Sequence, residues 1–99
     1  MAIKTFISLY DKKAQVFNTP VLEVNEATAM RRITQLLKDP QYKDELFVQF
    51  PSDFALYNVG TFDDSDGSVI QGKKDSEPNA YIVCELTSLV DSDIKPLTD

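Results

Sequence analysis

The stretch F50-P-S-D-F-A-L-Y-N-V-G-T-F-D-D-S-D-G-S-V-I70 decides how the rest of the chain is read. From Phe54 to Phe62 it is a strand with apolar groups on both faces. Strict alternation puts Phe54, Leu56 and Phe62 on one face and Ala55, Tyr57 and Val59 on the other. Such a strand is central to a sheet, buried on both sides or buried on one and used on the other. Asp64-Ser65-Asp66-Gly67 then reads as a type I turn with Gly67 at a left-handed position, a common hairpin closure. Ser68 to Gln71 is the return strand. The acidic turn also invites a calcium reading, but the ligand count rejects it. With Gly67 at the sixth loop position, Phe62 falls at the first and Lys73 stands where the bidentate Glu is needed.

Outward from this hairpin, residues 2 to 10 alternate with period two and predict a strand. Ile3, Thr5, Ile7 and Leu9 share a core-like face; Lys4, Phe6, Ser8 and Tyr10 share a half-covered one. Residues 11 to 19 form a connection carrying Lys12 and Lys13, with Val16 and Phe17 folded back as a lid. Pro20 opens a short strand, Val21 to Val24. Asn25 suits a helix N-cap, Glu26 suits the positive end of the helix dipole, and Pro40 stops the helix. The helix is therefore placed from Glu26 to Lys38, with Ala29, Met30, Ile33, Leu36 and Leu37 as its apolar stripe. Residues 41 to 49 fit either a helical turn or an extended segment. Gly72 to Pro78 is a polar loop containing Lys73 and Lys74, Tyr81 to Leu86 a last strand, and residues 89 to 99 a flexible tail.

The expected fold is α+β: a small antiparallel sheet of four to five strands with one amphipathic helix packed on it, in a single domain over residues 1 to 88. Ninety-nine residues support one modest core, so burial against a second copy is expected, making the protein a homo-oligomer. The lone Cys84 cannot form an internal disulfide. The N-terminal M-A-I-K-T-F-I lacks a secretory pattern, and the longest apolar run, Ala80 to Cys84, is too short to span a membrane. A reducing, cytosolic setting without membrane contact is expected.

Enzyme chemistry finds little support. There is no His, hence no imidazole base or ligand, and three glycines make no phosphate loop. No cofactor or metal is expected. The net charge of −6 argues against coating nucleic acid by bulk electrostatics. The cations nevertheless concentrate early: Lys4, Lys12, Lys13, Arg31, Arg32 and Lys38. Phe6, Tyr10 and Tyr57 stand ready to share a sheet face near Lys4, and aromatics rimmed by cations are how several small domains hold single strands. The plain alternative is that Phe6 and Tyr10 pack under the helix or in a dimer, and the residues alone favour it.

Four pieces carry a resemblance: S8-L-Y-D-K-K-A14, then P20-V-L-E-V-N-E26, then A29-M-R31, then P51-S-D-F-A-L-Y-N-V-G-T-F-D-D64. Together they resemble the nonstructural protein of gokushovirus-type microviruses, small single-stranded DNA phages. The resemblance implies a protein that is not a virion component and that works in the cytoplasm of the bacterial host. It also implies a role in single-stranded genome synthesis or packaging through DNA binding, and it supplies no catalytic residues. On that reading Lys4, Lys12, Lys13, Arg31 and Arg32 neutralise phosphates while Phe6, Tyr10 and Tyr57 stack on bases. The rival is an acidic protein-interaction module that docks on a basic partner, such as a viral replication or capsid protein.

Overall fold

Two long strands, β1 (Ile3–Asp11) and β4 (Phe54–Asp63), pair antiparallel along their whole length and form the axis of the sheet. The computed structural model describes residues 3–71 and 80–94, with side chains to residue 90. The outer edge of β1 is shared by β2 (Val16–Phe17), at Tyr10 and Asp11, and β3 (Val21–Glu23), at Thr5 to Ile7. The outer edge of β4 is shared by β5 (Ser68–Gln71) and β6 (Tyr81–Glu85). The protein is thus an α+β fold with six antiparallel strands. That is one more than expected, because Val16 and Phe17 form a short strand instead of a lid.

The β1–β2 turn is closed by the Asp11 carboxylate. Its Oδ1 accepts the backbone N–H groups of Lys13 (3.0 Å) and Ala14 (3.1 Å), and Gln15 takes a left-handed φ of 59°. Where β2 ends and β3 has not begun, the Ser8 hydroxyl donates to the Asn18 carbonyl at 2.6 Å and closes the gap.

The helix α1 (Glu26–Lys38) starts and ends where the sequence places it. Asn25 Oδ1 accepts the Thr28 N–H at 2.8 Å, satisfying one of the unpaired donors of the first turn. Two short 3-10 turns (Pro40–Tyr42, Pro51–Asp53) flank the one-turn helix α2 (Leu46–Gln49), which settles the ambiguous segment in favour of helical turns. The tail expected from Leu89 begins instead as helix α3 (Leu86–Ile94), because Leu86 and Leu89 both turn into the core.

All of this helix packs on one face of the sheet. Ile7, Phe54 and Leu56 from the strands meet Ala29 of α1 and Leu86 of α3, with Leu9, Met30, Ile33, Leu37 and Phe47 around them. Alternation along β1 therefore sends Phe6, Ser8 and Tyr10 to the opposite face, which carries no helix among the described residues.

Strict alternation along β4 fails at one place. Ile7 pairs with Asn58 but Phe6 pairs with Gly60, so Val59 is an extra residue. This bulge reverses the facing of everything beyond it. Phe62, expected beside Phe54 and Leu56, faces away from the helices with Tyr57. The cause lies at Asn58, whose Oδ1 accepts the Gly60 N–H at 3.0 Å and holds the bulge shut.

Candidate functional site

The helix-free face gathers five rings into two groups. Tyr10, Phe17 and Tyr57 form a triangle with ring centroids 4.6 Å (Tyr10–Phe17), 5.2 Å (Phe17–Tyr57) and 5.6 Å (Tyr10–Tyr57) apart. Further along the same face Phe6 meets Phe62 edge-on at 6.4 Å. Register explains both groups. Tyr10 pairs with Phe17 across β1–β2, Tyr57 follows through Ser8 on β4, and the Val59 bulge brings Phe62 beside Phe6. Phe6 and Tyr10 are four residue steps apart on β1, which is about 13 Å along the strand. Phe17 is 43% exposed and the other four rings are half-buried, so each ring reaches the surface in part. Leu22, Val69 and Ile82, paired with Phe6, Phe62 and Tyr57, extend the apolar surface.

The predicted cations divide between the two sides. Lys4 stands beside the Phe6–Phe62 pair and reaches Asp64 at 3.8 Å. Lys12 and Lys13 occupy the turn next to the Tyr10 triangle. Lys12 Nζ lies 2.5 Å from Glu85 Oε1, while the Lys13 ammonium has no side-chain partner among the described residues. Arg31 and Arg32 are on α1, across the sheet, and do not join Phe6, Tyr10 and Tyr57. Arg32 Nε donates to Glu23 Oε2 at 2.6 Å; Glu23 is only 6% exposed, so the guanidinium compensates a buried carboxylate. Lys73 and Lys74 lie outside the described residues. Phe17 and Phe62 belong to the ring surface yet were not expected there. The V16-F17 pair held the only signal for the first, and N58-V-G60 the signal for the second.

Behind the bulge sits a second polar cluster, on the helix side. Asn58 Nδ2 donates to Glu26 Oε2 (2.9 Å) and to the Tyr81 hydroxyl (3.1 Å), and the Tyr81 hydroxyl donates to Glu26. Burial, reinforced by the Glu26 carboxylate, pushes the Tyr81 phenol up to about 12, with Asn58 acting in the opposite sense. A phenol that holds its proton longer when folded adds stability that is complete below pH ~10 and is lost as pH rises towards ~12. The parent protein should therefore lose about 1–2 kcal/mol across that window beyond what Tyr81→Phe loses, partial exposure screening the rest. Urea midpoints at several alkaline pH values read this directly; identical slopes for the two proteins would remove Tyr81 from the account.

In the β4–β5 turn, Asp63 Oδ1 accepts the hydroxyl of Ser65 (2.6 Å) and its N–H (2.9 Å), and Asp66 Oδ1 accepts the Ser68 N–H (3.0 Å). Those bonds hold both carboxyls below the usual carboxylate range. Gly67, with φ of 79°, donates its N–H to the Asp63 carbonyl at 2.8 Å. Asp63 and Asp66 are thus occupied in shaping the turn, while Asp64 faces Lys4. Among the described residues no cluster of three metal-binding side chains forms, and no helix is long and apolar enough to cross a membrane.

The profile of a family described as Phage ORF5 protein matches residues 4–89, which include both ring groups and all of the β1–β4 pair except Ile3. The chain belongs to the Phage ORF5 protein family. It is a bacteriophage protein, and all five ring residues of the helix-free sheet face fall within the part shared with that family. No curated protein matches the chain, and no solved structure does.

Proposed function

We propose that this phage protein binds single-stranded DNA on the helix-free face of its sheet, without catalysing a reaction. Its place would be in viral single-stranded DNA synthesis or packaging in a microvirus-type phage. The observation that carries the reading is the triangle of Tyr10, Phe17 and Tyr57, accompanied along the strand by Phe6 and Phe62. Aromatic rings open on a sheet surface offer platforms on which unpaired bases stack irrespective of sequence. Lys4, Lys12 and Lys13 flank the platforms and can meet phosphates once Lys4 and Lys12 leave Asp64 and Glu85. Arg31 and Arg32, on the far side, take no part in this interface.

The acidity of the chain sets the character of the binding. With three cations available, stacking supplies most of the affinity and phosphate contacts a minor share. Anisotropy titrations with a fluorescein-labelled oligo-dT are expected to give a Kd on the order of 10–100 µM at low salt. Each phosphate contact on a single strand contributes a slope of about −0.7, so log K should fall against log salt with a slope no steeper than about −2. Absence of binding at about 20 mM salt would reject the reading, and a slope near −5 would place the contacts on a different, more basic surface.

A further inference from the structure

On the other side of the sheet, α1 does not close fully over β1. A cleft of about 350 Å³ lies between them; the core residues Ile7, Ala29 and Leu56 close its base, and the half-buried Leu9, Ile33 and Phe47 are its accessible apolar lining. It is large enough to take bulky apolar side chains. A smaller cavity of about 200 Å³ adjoins it, sharing Asn18, Glu45 and Phe47, and reaches Asp11 and Phe54. Leu46, 57% exposed, lines the smaller cavity.

The free charge on the rim is acidic. Glu23 is buried and paired with Arg32, the one cation among the lining residues, which leaves the carboxylates of Glu45 and Asp11. Asp11 Oδ1 is engaged by two backbone N–H groups of its turn. The Glu45 carboxylate has no partner among the described residues. It stands at the N-cap of α2 without making a capping bond, so the fold does not use it. An apolar floor under an acidic rim complements an occupant that is apolar in the middle and basic at its flanks.

The geometry points to this cleft as a docking site for a segment of a partner protein that carries bulky apolar side chains flanked by Lys or Arg. Apolar anchors enter between α1 and β1, and a flanking cation meets Glu45. This goes beyond DNA binding and uses a different face.

The test uses the full chain and a fluorescein-labelled peptide with a Leu-Lys-Lys-Phe core. Two control peptides carry Glu in place of Lys, or Ala in place of Leu and Phe. The basic apolar peptide is expected to bind and both controls to fail. Glu45→Lys should weaken binding about fivefold by reversing the rim charge. Ala29→Leu, which extends a side chain into the floor, should weaken it about tenfold or more. If circular dichroism shows Ala29→Leu misfolded, Glu45→Lys alone decides. Equal binding of the Glu peptide, or no effect of Glu45→Lys, overturns the proposal. Tighter binding of the anionic apolar dye ANS at the same floor would make the site one for a small molecule and would also overturn it. So would a change in sedimentation of the unliganded protein on Ala29→Leu, which would make the occupant a second copy. Oligo-dT affinity of Ala29→Leu should equal that of the parent, so failure here leaves the sheet-face reading intact.

Discussion

Leu56→Ala is expected to destabilise the protein by about 3–5 kcal/mol, the range for leucines removed from a closed core. Leu56 is 0% exposed and lies near the start of β4, between Leu9 of β1 and Cys84 of β6. It joins Ile7, Phe54, Ala29 and Leu86 in the only cluster where both sheet strands, α1 and α3 meet among the described residues. A domain of this size has a total stability of about 5–15 kcal/mol, so one truncation removes a large part of it. In a thermal melt the midpoint should fall by about 15–30 °C. The adjoining cleft gives neighbouring side chains some room to relax, which favours the lower end of both ranges. A urea-unfolding loss below about 1 kcal/mol would mean that the helices do not close over Leu56 as described.

Tyr57→Ala is expected to weaken oligo-dT binding by about 5- to 150-fold, the loss of one stacked base at about 1–3 kcal/mol. Tyr57 is the ring that β4 contributes to the triangle, where it contacts Tyr10 of β1 and Phe17 of β2. Its side chain faces away from the core cluster, so the fold should survive the change. Tyr57→Phe should bind nearly as well as the parent, because stacking needs the ring and not the hydroxyl. Arg31→Ala should change affinity less than about twofold, since Arg31 lies across the sheet from the rings. An equal loss for Tyr57→Ala and Arg31→Ala would show that bulk charge and not the ring surface holds the strand.

The parts of this fold that were legible in the sequence are those specified by neighbouring residues. Asn25 and Pro40 mark the two ends of α1, and both act within a turn of the helix. Gly67 and the Asp63 carboxylate fix the β4–β5 turn in the same local way. The central position of β4 followed from its apolar groups on both faces.

What escaped depends on distant partners. The Val59 bulge that turns Phe62 towards Phe6 rests on Asn58, whose amide is oriented by Glu26 and Tyr81 from other elements. β2 is two residues long and gains its meaning only from pairing with Tyr10 and Asp11. The start of α3 was hidden because Leu86 and Leu89 are followed by acidic and polar residues that read as a tail. The separation of Arg31 and Arg32 from Lys4, Lys12 and Lys13 was hidden for a related reason. The first face of β1 read as core, but the rings of Phe6 and Tyr10 on its second face left open whether α1 covers that one. The pairing of Lys12 with Glu85, 73 residues away, is equally invisible to any local reading.

In the proposed binding mode the ring-bearing face of the sheet receives single-stranded DNA. Aromatic carbon–proton correlation spectra recorded during an oligo-dT titration test it most directly. The resonances of Tyr10, Phe17 and Tyr57 should move first and furthest, those of Phe6 and Phe62 should follow with longer oligonucleotides, and Phe54 in the core should stay still. Ring resonances that respond to protein concentration but not to the oligonucleotide would assign the face to a second copy of the chain and contradict the account.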